Sequence, residues 1–239
     1  MDIAERTLQL KEDFDKVYDA GKKSEYDAFW DEYQSNGSRR NYKYGFAGAG
    51  WDNNTFNPKY DIVASTALGM FQESGITDLV GILNRNDVKL TITGTGATTN
   101  IFYGSKVTEL PELDLSSVSS YGSAFYNCTA LTRIEKIKLN SSGNQTCASA
   151  FYNCSKLTDI TFEGVIGRDM NLSACPLTVS SLKSVIQALK QFDAYTYTVT
   201  FKSSDFSKLE AEGATAEYNG VACTWRELID NKKWNLTLS

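Results

Sequence analysis

The chain of 239 residues contains no histidine. That removes the commonest general base near neutral pH, the imidazole metal ligand, and every Ser-His or Cys-His pairing. Nor is there an apolar run approaching about 18 residues, so no membrane-spanning helix is expected. Basic residues are in deficit: 24 Lys and Arg against 29 Asp and Glu leave a net charge of −5. The basic residues are also scattered, and gripping a phosphate backbone needs a basic face, so nucleic-acid partners are not expected. Docking on anionic membranes is disfavoured for the same reason. The five cysteines (Cys128, Cys147, Cys154, Cys175 and Cys223) contain no C-x-x-C pair. Without that spacing or any histidine, neither a zinc site nor a cofactor is expected. The opening segment MDIAERTLQLKEDFDKVYDAGKK lacks the apolar core of a signal peptide. Export by another route and prior removal of a leader both stay open.

What the chain does have is internal repetition. AFYNCTALTRIEKIKL begins at Ala124 and AFYNCSKLTDITFEGV at Ala150. Aligning on the phenylalanine adds two looser units, GMFQESGITDLVGIL at Phe71 and NIFYGSKVTELPELDL at Phe102. After each Phe (Phe71, Phe102, Phe125, Phe151) come two apolar residues three positions apart: Ile76/Leu79, Val107/Leu110, Leu131/Ile134 and Leu157/Ile160. A recurring apolar skeleton at this period marks units that cannot bury their own faces and therefore stack. The phenylalanines are expected to point inward and stack across neighbouring rungs. Cys128 and Cys154 read as small buried fillers. Stacking also brings these two cysteines within range of a disulfide, so free thiols and a bridge both stay open. Asn127 and Asn153 fall at a turn, where Asn side chains can satisfy backbone groups.

The skeleton A-F-x-x-C-x-x-L-x-x-I resembles the BspA-like (Treponema-type) leucine-rich repeats, closely over Ala124–Ile134 and Ala150–Ile160. The LT..SL..VI..L helix pattern after Pro176, the terminal KKWNLTL and the lead-in YGFAGAGWDNNTFNPKYDI are similar to prophage-type members. The stretch AEYNGVACTWRELIDN departs from that ending. The resemblance implies an α/β fold: a short leucine-rich-repeat solenoid with one strand per repeat. Its divisions are N-terminal helices at 1–35, a cap or hairpin at 36–66, the solenoid at 67–176 and an α/β cap at 177–239. It also implies a bacterial surface or phage-associated protein, extracellular or in a virion, that binds a protein or cell-surface component without catalysis.

Two further roles are weighed against recognition. Residues 1–35 place Ile3, Leu10, Phe14 and Val17 on a heptad-like stripe, and Ser24 reads as the N-cap of a second helix. These helices either cap the first rung or form a stem joining copies of the chain, the second case suiting a fibre component of a phage. A glycan-active enzyme needs two carboxylates converging across a cleft, and only ELPELDL (Glu109, Glu112, Asp114) groups them. On an alternating strand, Glu112 and Asp114 share a face and Glu109 takes the other. The aromatics Tyr42, Tyr44, Trp51, Tyr126 and Tyr152 are the candidate partner-binding residues, because Tyr and Trp anchor protein and glycan contacts. Tyr126 and Tyr152 recur in register and are expected to form a small ladder. Thr224 and Glu227 spell a capping box before a C-terminal helix.

Overall fold

The computed structural model describes residues 40–41, 45–48, 51–54, 56–58, 61–96, 98–213 and 215–239. The expected N-terminal helices, and with them any stem, lie outside the described residues, as do Tyr42 and Tyr44. Within the described residues there are eleven strands and four helices.

Every repeat is organised around its phenylalanine. Phe71, Phe102, Phe125 and Phe151 are buried and form one column, with ring centroids 5.1, 5.9 and 5.2 Å apart and planes within 18° of parallel. Phe46 extends this column by one member, 5.2 Å from Phe71. Phe46 falls in the 36–66 segment expected as a cap, so the stacked pattern begins earlier than the aligned repeats. Trp51 and Phe56 meet Phe46 edge-on and close that end. At the far end Leu172 takes the place of the aromatic, and Cys175 N–H returns to its carbonyl as Cys154 N–H does to Phe151.

The backbone explains the regular stacking. The residue two before each repeat Phe has positive φ (Gly69, Asn100, Ser123, Ser149), and so does the residue two after (Glu73, Gly104, Asn127, Asn153). These paired left-handed residues turn the intervening N–H groups along the column. Phe71 then donates to Ile101 O, Phe102 to Ala124 O and Phe125 to Ala150 O, at 2.7–2.9 Å. Left-handed backbone strains most L residues, and Asn is among the few that tolerate it. That accounts for Asn127 and Asn153. Their side chains do not bond the turn backbone as the sequence suggested; Asn153 Nδ2 donates instead to Asn127 Oδ1 at 2.7 Å. Asn127→Ala should therefore cost about 1 kcal/mol or more, and Asn127→Gly less, since Gly104 already holds the equivalent place. Thermal melts of the two variants compare them; equal losses would assign the preference to the amide ladder instead.

After each Phe turn the chain runs into a strand. β4 (Glu109–Asp114), β5 (Arg133–Lys138) and β6 (Asp159–Glu163) form a parallel sheet in which Leu110 faces Ile134 and Ile134 faces Ile160. A threonine precedes each strand, and its hydroxyl donates to a carbonyl one unit back: Thr108 to Thr77, Thr132 to Thr108 and Thr158 to Thr132. A second parallel sheet lies before the Phe turns: β1 (Arg40–Asn41), β2 (Ile62–Thr66) and β3 (Leu90–Ile92). The third joins β7 (Met170–Asn171), β8 (Thr198–Phe201) and β11 (Asn235–Leu238), again parallel.

The Phe71 unit departs from the strand pattern. Asp78 accepts from Gly81 N–H at 2.9 Å and starts helix α1 (Leu79–Arg85), so Leu79 sits on a helix rather than a strand. At the opposite end of the β4–β6 sheet lies helix α2 (Val179–Ala188), capped by Thr178. Ser181 Oγ accepts from Ile160 N–H at 2.9 Å and Ser184 Oγ from Phe162 N–H at 2.8 Å. Two hydroxyls one helical turn apart thus satisfy donors on the edge of β6. An uncovered edge would be a template for unwanted pairing.

The C-terminal residues add α3 (Ser203–Ala211), the hairpin β9–β10 (Ala216–Tyr218, Val221–Cys223) and α4 (Trp225–Asn231). The Thr224/Glu227 capping box forms as expected. The N-cap of α3 is Lys202, without a side-chain bond. The departing stretch AEYNGVAC is a two-residue hairpin, with Asn219 and Gly220 both at positive φ. Lys232 Nζ then donates to the carbonyls of Ile186, Gln187 and Leu189 at 3.1, 2.7 and 2.7 Å, closing the end of α2.

Candidate recognition edge

The side chains of the repeat sort into three places. Inward lie the phenylalanines, Leu131, Ile134, Leu157 and Ile160, all buried. Beside them Cys128 and Cys154 are free thiols, donating to the carbonyls of Phe102 and Phe125 at 2.9 and 3.0 Å. Burial pushes the Cys128 thiol well up, and that of Cys147 to about 11. The Cys175 thiol together with burial raises Cys154. The two earlier units carry Ser74 and Ser105 at the equivalent place, also buried. Since only the thiolate is a nucleophile, an aromatic disulfide reagent added to native protein should modify half-buried Cys223 alone. Cys128, Cys147, Cys154 and Cys175 should react only on unfolding. A second fast thiol would show that the column opens.

On the outer face of the β4–β6 sheet, charges answer one another across the strands. Glu109 lies 3.9 Å from Arg133, and Lys136 lies 3.4 Å from Glu112 and 3.0 Å from Glu163. Glu112 also pairs with Lys138, whose hydrogen bond holds the carboxyl below its usual range. Asp114 accepts instead from Ser116, at 3.0 Å from the backbone and 2.6 Å from the hydroxyl, and is lowered by it. The three carboxylates of ELPELDL therefore have separate partners. The expected alternation fails as well: Leu110 and Leu113 are both buried, three residues apart, with Pro111 and Glu112 half-exposed between them. A mixed-sign face paired within itself carries little net field toward a charged partner.

The third place is the edge formed by the Phe turns, and here the aromatics gather. Tyr103, Tyr126 and Tyr152 each follow a column phenylalanine by one residue. Their rings stack at 4.9 and 4.6 Å, with planes 2° and 16° from parallel. Tyr103 and Tyr126 are half-buried, whereas Tyr152 is 56% exposed. The reason lies in the next unit, which offers Ser173 at the equivalent place after Leu172. Among the described residues the outer face of Tyr152 consequently has no aromatic neighbour. Alongside run Asn127 and Asn153, joined through their amides.

Of the candidate residues, Tyr126 and Tyr152 are thus brought together. Trp51 is half-buried and packs edge-on to Phe46 and Phe56 at the start of the column, away from the tyrosines in chain order. Tyr103 was missing from the candidates. Its offset from Phe102 matches that of Tyr126 from Phe125, and that offset was the available signal. One open concavity of about 400 Å³, lined by Gln187, Glu217 and Trp225 among others, lies under the β9–β10 hairpin. No three His, Cys, Asp or Glu residues converge as a metal site among the described residues. No helix among them is long and apolar enough to cross a membrane. Comparison with protein families, curated proteins and solved structures returned no match to this chain.

Proposed function

We propose that this chain is a non-catalytic recognition protein of the leucine-rich-repeat solenoid kind, similar to BspA-like repeats. It engages a protein or cell-surface component through the tyrosine edge of its Phe turns. One observation carries the reading: Tyr103, Tyr126 and Tyr152 stack on a backbone whose successive rungs are hydrogen-bonded to one another. Rings held this way lose little conformational freedom on binding, which is how preorganised aromatic anchors gain affinity. The turns add Ser123, Ser149, Asn127, Asn153 and Gly104, a Tyr/Ser/Asn/Gly mixture like that of antibody loops. The resemblance places such a protein outside the cell or in a virion.

The test compares labelled wild-type protein with a Tyr126→Ala/Tyr152→Ala variant and a Lys136→Glu variant for attachment to intact bacterial and epithelial surfaces. Loss in the tyrosine variant with retention in Lys136→Glu supports the edge. The opposite pattern moves recognition to the charged sheet face, and no attachment by wild type removes the reading.

A further inference from the structure

Around Tyr126 and Tyr152 the turn edge is uncharged: residues 123–129, 149–155 and 171–175 contain no Asp, Glu, Lys or Arg, in a chain where 22% of residues are charged. Charge returns toward the other end, with exposed Glu73 in the Phe71 turn and exposed Lys106 after Ser105. A phosphate, sulfate or carboxylate on a ligand would find no counter-charge there, and a peptide rich in Lys or Arg would find no carboxylate. What the edge offers is ring surface and neutral hydrogen-bonding groups.

Tyr152 supplies the ring surface. One face is covered by Tyr126 at 4.6 Å, and the other meets no aromatic among the described residues, since Ser173 follows in the next unit. Next to it, Asn153 Nδ2 donates to Asn127 Oδ1. Among the described residues this leaves Asn127 Nδ2 as an unused donor and Asn153 Oδ1 as an unused acceptor, both residues being exposed. An unused donor and an unused acceptor at the two ends of the amide pair each match a hydroxyl group, which is both at once. The C–H face of a pyranose carries slight positive charge, and the face of a tyrosine ring carries slight negative charge.

Size favours the same ligand. The three rings span two steps, of 4.9 and 4.6 Å. A standard protein interface needs about 800 Å² on each side, far more than one such strip provides. One or two sugar rings need no more than Tyr152 and its neighbours.

We infer that Tyr152, with Asn127 and Asn153, is a binding site for a neutral glycan: a pyranose stacks on the open face of Tyr152 and its hydroxyls bond the unused amide groups of Asn127 and Asn153. This inference rests on the recognition reading and narrows its partner to carbohydrate.

The probe is an immobilised array of neutral oligosaccharides of hexoses and N-acetylhexosamines, with sialylated and sulfated counterparts beside them. Wild type is compared with Tyr152→Ala, Tyr152→Trp, Asn153→Gly and Tyr195→Ala, each checked for folding by its melt. Asn153→Gly keeps the left-handed backbone and deletes only the amide. Tyr195→Ala removes an exposed tyrosine remote in sequence. The expected result is binding to neutral glycans that weakens at least about tenfold in Tyr152→Ala and several-fold in Asn153→Gly. Tyr152→Trp should retain it and Tyr195→Ala leave it unchanged. Binding confined to charged glycans, or indifferent to Tyr152→Ala, overturns the inference. So does an array without any signal. If the array is silent while Tyr126→Ala/Tyr152→Ala still abolishes surface attachment, the edge binds something else and only the glycan assignment falls. If both fail, the recognition reading falls with it.

Discussion

Replacing Phe125 with alanine should be the most damaging single truncation in the repeats. Phe125 has a stacked ring on each side, at 5.9 Å to Phe102 and 5.2 Å to Phe151, and no exposed surface. Truncation removes both ring contacts and leaves a cavity between hydrogen-bonded rungs that cannot close without breaking the bonds joining them. Buried Phe→Ala changes cost about 3–5 kcal/mol, which for a chain of this size lowers the melting temperature by roughly 10 °C or more. Tyr152→Ala, one rung on at the exposed edge, should cost about 1 kcal/mol or less. Melts followed by circular dichroism read both. If the two variants melt alike, the phenylalanine column is not what joins the repeats.

The second large effect falls on the helix that ends the β4–β6 sheet. Ser181→Ala and Ser184→Ala each leave a strand donor of β6, Ile160 or Phe162, without its hydroxyl partner. Leaving a buried donor unsatisfied costs about 1–3 kcal/mol. The two sites share one edge, so the double variant should depart from the sum of the singles. Amide hydrogen exchange gives the sharper readout. Protection of Ile160 and Phe162 should drop in the matching variant while Ile134, in the sheet interior, stays protected. Unchanged protection at all three would mean that the helix covers the edge by packing alone.

These two predictions come from features of unequal visibility in the sequence. The column was legible because a Phe followed by a fixed apolar spacing is written into the chain four times. Phe46 escaped because its unit lacks the apolar pair three residues apart and shares with the Phe102 unit just the Phe and the glycine two residues on; the ring stack on Phe71 and the hydrogen bonds of Phe46 and Gly48 to Met70 and Gln72 reveal it. The serines of α2 read as ordinary polar residues of an amphipathic helix, since their role depends on which strand edge the helix meets. Helix α1 was hidden by Leu79, whose spacing fits the repeat skeleton equally well; Asp78 as an N-cap was the overlooked signal. Strict alternation failed on β4 because Leu110 and Leu113 both turn inward around Pro111.

The edge was half legible. Tyr126 and Tyr152 stood out because AFYNC is repeated verbatim, whereas Tyr103 lies in a unit with Gly104 and Ser105 in place of Asn and Cys. Its backbone is nevertheless the same, with Gly104 and Asn127 at φ of 64° and 60°. The role of Asn at that position was misjudged for a physical reason. Turn residues are usually read for what their side chains bond, and here the backbone conformation explains the choice.

Recognition by tyrosine rings and neutral groups is separated from recognition by charge by measuring surface attachment across a salt series. Screening shortens the reach of charge interactions to about 3 Å at 1 M salt but leaves stacking and neutral hydrogen bonds in place. Half-saturation should stay constant from about 0.05 to 1 M salt, and attachment should be lost in Tyr126→Ala/Tyr152→Ala throughout. Attachment that falls steeply with salt and ignores the tyrosines would contradict recognition by the rings, and would assign it to the Glu112, Lys136 and Glu163 face instead.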